Sequence, residues 1–386
     1  MIRLLFITDY TEQFSYRMLK GITNHYDGSE KWVINRMLPS YMRSIGLEGI
    51  VEWARKWKAD VVIGQFAPDD DLSLFERNGI IVIAQDYIRP FPNVPNITAD
   101  YQMTGKMAAE HFLTKGYSNF AYFGYRGVCW SENRYEGFKS KIVSAGYGDR
   151  LHLYDGQMLD NIWYYNSTEL VEWLQNLPKP VAIMACDDNQ GNLLLNVCNS
   201  ININIPDDVA VLGVDNDDVI DNLSDPTLSS IEVDIEQGGR ELATMVAKMI
   251  KKPGYRGNDV VLRPVSVVQR ASTSVYATAD KEIVKALQFI NNNIDKSITV
   301  SDILREVPLS RRLLEIRFKK VTGTTVYSYV SNRRIERFAH LLLQSNRTVS
   351  EITAMFGETD YNSICRRFKQ IMGCSPVEYR KRASHK

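Results

Sequence analysis

The last hundred residues write one helical unit twice, and a repeat of only two confines that stretch to a pair of compact modules rather than an array of stacked repeats. Thr299-Val300-Ser301-Asp302-Ile303 returns 49 positions later as Thr348-Val349-Ser350-Glu351-Ile352. Arg317-Phe318-Lys319 followed by Gly323 returns 50 positions later as Arg367-Phe368-Lys369 followed by Gly373. Thr299 with Asp302, and Thr348 with Glu351, have the spacing of an N-cap residue and an acidic third helical residue, so a helix is expected to start at each. Ile303, Leu304 and Val307 are expected to face inward in the first copy, and Ile352, Met355 and Phe356 in the second. After a short turn a second helix follows, in which Leu314 and Phe318 stand one turn apart, as do Ile364 and Phe368. Its opposite face presents Arg312, Glu315, Ile316 and Lys319 in one copy, and Asn362, Cys365, Arg366 and Lys369 in the other.

A helix, a tight turn and a second helix with a polar, basic outer face is the helix-turn-helix arrangement, whose second helix fits the major groove of B-DNA. The plainer alternative is that any bundle helix shows a charged outer face. Two copies in register argue against it, and so does the charge distribution. Residues 281–386 hold 20 Lys and Arg against 10 Asp and Glu, while residues 1–280 hold 26 against 36, so a neutral chain conceals a basic end and an acidic remainder. Such asymmetry suits a part that binds a polyanion joined to a part that does not. Arg311, Arg312, Tyr361, Asn362 and Arg366 are the candidates for contacts at or near bases, and Lys319 and Lys369 suit phosphates. Arg317 and Arg367, beside the buried phenylalanines, suit packing or ion pairs. Ile316 occupies the position equivalent to Arg366, so the two helices are not expected to read the same bases.

The segment from about 281 to 382 resembles the double helix-turn-helix domain of AraC-type transcription regulators. The residues that carry the likeness are Gly357, Asp360-Tyr361-Asn362, Cys365-Arg366, Phe368-Lys369, Gly373, Ser375-Pro376 and Tyr379-Arg380. Glu358 and Ser363-Ile364 depart from the family, which favours aromatics there. The resemblance implies double-stranded operator DNA as a partner.

The 386 residues suffice for two or three cores. No apolar run is long enough for a membrane helix, and the N-terminus reads as a buried strand rather than a secretion signal. Five dispersed cysteines form no CxxC pair, so neither disulfides nor zinc are expected, and a reduced cytoplasmic setting fits. Up to residue 270 short apolar runs (2–7, 31–37, 61–64, 80–83, 119–123, 181–184, 209–214) alternate with amphipathic stretches (46–57, 100–115, 132–145, 187–200, 234–251). That alternation predicts an α/β fold of parallel sheets covered by helices, and its length predicts two lobes with a cleft between them. The polar run starting at Gln269-Arg270-Ala271-Ser272 marks a change, so the expected division is a sensor over 1–270, a linker over 271–280 and an all-α bundle over 281–386.

Arg134-Tyr135-Glu136-Gly137-Phe138, Ile205-Pro206-Asp207-Asp208-Val209, Leu212-Gly213-Val214-Asp215 and the run from Leu223 to Ile231 together resemble the ligand-binding core of LacI/GalR regulators, which is shared with periplasmic sugar-binding proteins. The resemblance implies a monosaccharide effector and a homodimer formed through the α/β lobes, and the order of a LacI-like sensor ahead of an AraC-like reader resembles xylose-operon regulators, which implies xylose or a related sugar. Sugar sites combine planar charged groups that hold two hydroxyls with an aromatic face for the ring. Arg134 and Asp215, the latter beyond the C-terminal end of a strand, are the foremost candidates. Asp188, Trp130 and Asp9 follow, although Asp187 could cap the helix beside it and Trp130 could instead fill a core. No cofactor, metal or catalytic residue is expected, since there is no GxGxxG after the first strand, no phosphate-binding loop, no HExxH, and the five histidines are scattered. The expectation is a sugar-responsive transcription regulator, an activator of a carbohydrate-use operon. The alternatives are a sugar-binding protein or an α/β enzyme with a nucleic-acid-binding tail.

Overall fold

The computed structural model describes residues 1–8, 13–25, 31–154, 167–252, 254–274, 280–294, 296–322, 324–344, 347–356 and 361–384. They form two compact units, one built chiefly from residues up to Ser274 and the other chiefly from Val275 onward.

The strands of the first unit are β1 (Ile2–Ile7), β2 (Trp32–Met37), β3 (Val61–Gln65), β4 (Ile81–Gln85), β5 (Asn96–Ala99), β6 (Phe120–Phe123), β7 (Leu151–Leu153), β8 (Val181–Ala185), β9 (Val209–Val214), β10 (Ser229–Val233), β11 (Val260–Leu262) and β12 (Pro264–Val268). Its helices are α1 (Gln13–Asn24), α2 (Pro39–Trp57), α3 (Ser73–Arg77), α4 (Tyr101–Thr114), α5 (Cys129–Ser144), α6 (Ser167–Asn176), α7 (Asp188–Ser200), α8 (Asp218–Leu223) and α9 (Ile235–Lys251).

Two six-stranded sheets result, with orders β11-β5-β4-β3-β1-β2 and β12-β10-β9-β8-β6-β7. The ladders are parallel except β10 against β12. Interior strands such as β3, β8 and β9 are buried along their whole length, as strands covered on both faces must be. One face of the first sheet packs against α2 and α3, and the second sheet packs against α6 and α7. The chain passes between the lobes after β5, after β10 and after β11, where Asp100 N donates to Leu262 O at 2.8 Å and Asp234 N to Arg263 O at 3.0 Å. Neighbouring crossings are thus tied to each other at the hinge.

The expected runs all appear as elements. Helix α2 starts seven residues earlier than expected, with a break at Gly46 (φ 68°), so the regular helix begins where the amphipathic pattern does. Short strands β5, β7, β11 and β12 carried too few residues to show a period. The expected linker begins with residues that belong to the sheet unit. Ala271–Thr273 is a 3-10 turn with Ser272 and Thr273 fully buried, because Ser272 Oγ donates to Val211 O (2.6 Å) and Thr273 Oγ1 to Ser229 Oγ (2.7 Å). Residues 275–279 lie outside the described residues.

The second unit holds α10 (Lys281–Asn292), α11 (Val300–Glu306), α12 (Arg311–Thr322), α13 (Val326–Gln344), α14 (Val349–Met355), α15 (Tyr361–Met372) and α16 (Pro376–Ser384). Both capping boxes form. Asp302 N donates to Thr299 Oγ1 while Thr299 N donates to Asp302 Oδ2 (3.2 and 2.7 Å), and Thr348 with Glu351 repeats this at 3.2 and 2.6 Å. There are two cores. Leu287, Ile303, Leu314, Phe318 and Val330 belong to one, and Phe338, Ile352, Phe356, Ile364 and Phe368 to the other. Helix α13 serves both, with Val326 and Val330 in the first and Ile335, Phe338 and Leu342 in the second.

One inward expectation is corrected. Met355 is 46% exposed, and Arg347 Nη1 donates to its sulfur. The residue in register with Leu304 is Thr353, buried with its hydroxyl donating to Val349 O at 2.8 Å. Ile352 and Phe356 already make the core stripe, which leaves Met355 on its solvent edge.

Candidate ligand cleft and nucleic-acid interface

The cleft lies at the C-terminal ends of both sheets' strands, where loops must leave the sheet and side chains converge. It encloses about 820 Å³, counting the space open to solvent at its mouth, and its lining includes Asp86, Tyr101, Trp130, Arg134, Asp187 and Asp215. Arg134 is brought there by the packing of α5 on α4. A Cβ on Gly105 would stand 2.0 Å from Arg134 O, and one on Gly137 would stand 2.1 Å from Gln102 O, so neither position admits a side chain without separating the helices. Phe138, fully buried among Phe112, Phe120 and Tyr122, anchors the same turn.

The Arg134 side chain is buried, with its guanidinium 5.1 Å from the Trp130 ring centre and 5.5 Å from that of Tyr101. One nitrogen donates to Cys186 O and another to Asp215 Oδ1 at 3.4 Å, while Nε is buried with no hydrogen-bond partner among the described residues. Asp86 sits across the cleft at the end of β4, accepting from Tyr101 OH at 2.7 Å. Burial pushes its carboxyl up to about 6, against the hydrogen bonds from Thr98 and Tyr101. Asp187 is also raised to about 6 by burial. Among the described residues the cleft thus presents the Arg134 guanidinium, several carboxylates and the aromatic rings of Phe14, Tyr87, Tyr101 and Trp130.

Of the five sequence candidates, Trp130, Arg134, Asp188 and Asp215 line this one cleft, and Asp9 lies outside the described residues. Asp187 caps α7, accepting from Gln190 N at 2.7 Å. Asp188 has both oxygens engaged, one by Ser230 Oγ (2.6 Å) and one by Asp217 N (2.7 Å), so it braces the loop after β9. Burial raises its pKa well above the usual carboxylate range. Asp86, Tyr101 and Gln13 were missed by the reading of the sequence. Asp86 directly follows a strand, the same signal that singled out Asp215. Tyr101 carried no signal, because only the crossing between lobes brings it beside Arg134.

In the second unit, Arg311, Arg312, Ile316 and Lys319 are exposed along α12, and Arg366 and Lys369 along α15. Ile316 is 56% exposed and Leu313 43%, an apolar pair among cations. Glu315 is half-buried, its carboxylate accepting weakly from Val326 N (3.4 Å) at the start of α13. The side chains of Tyr361 and Asn362 lie outside the described residues. Arg317 turns back to pair with Asp280, whose carboxyl this hydrogen bond holds below its usual range, with Nε to Oδ2 at 2.6 Å. Arg367 donates to Tyr327 OH at 3.1 Å.

Residues 109–273 match the family described as a periplasmic binding protein-like domain, and residues 303–382 match a helix-turn-helix domain. The xylose operon regulatory protein of Escherichia coli (strain K12) is 28% identical over 342 residues, which is 86% of this chain and 86% of that protein. The protein of the same name from Haemophilus influenzae is 28% identical over 329 residues, covering 83% and 84%. The solved structure described as the xylose-binding transcription activator xylR matches with a TM-score of 0.59 at 24% identity, over 98% of this chain and 97% of that one. Among the described residues no helix is long and apolar enough to cross a membrane. With these likenesses spanning both units in the same order, the chain belongs to the transcription regulators of AraC helix-turn-helix type that carry a periplasmic binding protein-like domain ahead of the helix-turn-helix domain.

Proposed function

We propose that this protein is a sugar-responsive activator of a carbohydrate-use operon, with xylose or a related pentose as effector and operator DNA as partner. It acts in the cytoplasm, as a homodimer, without catalysis. The observation that supports this most directly is the Arg134 guanidinium, set between two aromatic rings and facing Asp86 and Asp215 from opposite lobes. A polyol offers adjacent hydroxyls to the charged groups and C–H surface to the rings. A sugar bridging the lobes favours the closed form by the contacts it makes only there.

The relatives named for the xylose operon support xylose as the first sugar to try. In a panel of pentoses and hexoses, a bound sugar should raise the melting temperature of the full chain, since a ligand that binds only the native state stabilises it. The same chain should bind duplex DNA with an affinity that falls steeply as salt rises. No thermal shift with any sugar, together with salt-insensitive or absent duplex binding, would overturn the proposal.

The DNA-reading residues proposed are Arg311, Arg312, Glu315, Ile316 and Lys319 on α12, and Tyr361, Asn362, Arg366 and Lys369 on α15. Ile316, being apolar, should meet a thymine methyl. Once an operator has been selected from a random duplex library, replacing that thymine by deoxyuridine should cost the wild type about 0.8 kcal/mol, the worth of one buried methyl. Ile316→Ala should be indifferent to the same change. Equal losses in both proteins would remove Ile316 from the base contacts.

A further inference from the structure

The turn after β9 holds two successive non-glycine residues in the left-handed region, Asp215 at φ 99° and Asn216 at φ 52°. Residues hold that conformation when their surroundings fix it. Here Asp215 N donates to Ile231 O (2.9 Å), Asn216 N to Ser230 Oγ (2.9 Å), and Asn216 Nδ2 to Glu232 Oε2 (2.6 Å). Asp215 has its carboxylate in the cleft beside Arg134, and its carbonyl accepts from Arg17 Nη1 at 2.9 Å. Arg17 in turn pairs with Glu232.

The other side of the turn is held by Arg270. Its Nη2 donates to Asn216 Oδ1 (2.7 Å), its Nη1 to Leu228 O (2.9 Å), and its Nε pairs with Asp221 Oδ2 on α8 (3.0 Å). Its backbone N donates to Ser229 Oγ at 2.8 Å. One guanidinium therefore joins the cleft turn, α8 and the entry to β10. The residues that follow it in sequence are anchored on the same strands. Ser229 N donates to Ser272 Oγ (2.8 Å), Ser272 Oγ to Val211 O, and Thr273 Oγ1 to Ser229 Oγ. From Val275 the chain belongs to the helix-turn-helix unit.

We propose that Arg270 is a positioning residue that couples occupancy of the cleft to the segment through which the chain leaves the α/β unit. The element with two states is the Asp215–Asn216 turn, whose left-handed geometry a ligand on Asp215 either supports or releases. The Asn216–Arg270 hydrogen bond carries the choice to Ser272 and Thr273. Lysine cannot replace this arginine, because the role uses the planar fork and not the charge alone. The proposal rests on the cleft being the effector site.

The test uses the full chain, a duplex chosen by selection from a random library, and D-xylose, D-ribose and L-arabinose as probes. For whichever sugar binds, Arg270→Gln and Arg270→Lys should keep sugar affinity within about threefold of wild type. The wild-type ratio of duplex affinities with and without sugar, expected to lie between about 5 and 150, should fall to within about twofold of unity in both variants. A purely structural role would lower the melting temperature and leave that ratio at its wild-type value, which overturns the proposal. Amide exchange in sugar-free protein supplies an arm that does not depend on the effector. Asn216→Ala should speed exchange at Ser272 and Ser274, and Arg270→Gln should speed it at Asn216. Unchanged exchange at these amides overturns the coupling even if sugar binds. If no probe binds the wild type, the effector reading fails, and exchange still decides whether the turn and the exit segment move together.

Discussion

Phe368→Ala is expected to destabilise the second half of the helix-turn-helix unit by about 3–5 kcal/mol, the scale for truncating a fully buried aromatic. Phe368 is inaccessible to solvent, with ring centres 5.8 Å from Phe338 and 5.4 Å from Tyr379. Its cluster is small, so a cavity of that size has few neighbours to collapse into it, and a module of this size has little stability to lose. The first cluster, around Leu287 and Phe318, is a separate core and should remain folded. Denaturant unfolding should therefore split into two transitions, and a footprint on the selected operator should shorten to one major-groove segment. A single transition with both segments lost together would show that α13 welds the halves into one cooperative unit. An unchanged unfolding midpoint would contradict the burial itself. Phe318→Ala is the mirror experiment, and it should leave the other segment protected.

Arg134→Ala carries the second large effect, on the cleft. A hydrogen bond from a charged group contributes about 1.5–3 kcal/mol, so sugar affinity should fall by roughly 10- to 150-fold in calorimetry. Two things change at once. Asp215 loses its cationic neighbour, and the space between the Trp130 and Tyr101 rings empties. Duplex binding without sugar should survive, because residues 281–386 carry the basic helices. Arg134→Lys should recover part of the affinity through charge and miss the remainder, which needs the flat guanidinium between rings. Unaltered sugar affinity in Arg134→Ala would remove this residue from the site.

Much of the helical unit was legible because its determinants are local. A Thr with an acidic residue three positions later caps a helix wherever it occurs, and both capping boxes formed as read. Phenylalanines spaced one turn from an aliphatic residue mark the buried stripe, and Phe318 and Phe368 are both buried completely. Met355 shows where such reading ends. An apolar residue near the edge of a stripe can go either way, and register with the first copy, which aligns Thr353 with Leu304, was the better guide than hydrophobicity.

The sequence by itself determined the α/β alternation, the two capped helix pairs, the uneven charge and the Arg134-to-Phe138 motif, since each depends on residues a few positions apart. Only the tertiary structure decided that Asp187 caps while Asp188 braces the loop at Asp217, that Asp86 and Tyr101 face Arg134, and that Arg270 reaches the turn beside the cleft. Apart from the local cap, those pairings join residues 15 to 54 positions apart, and their partners are set by which strands lie side by side and where the chain crosses between lobes. Periodicity along one chain carries no record of that.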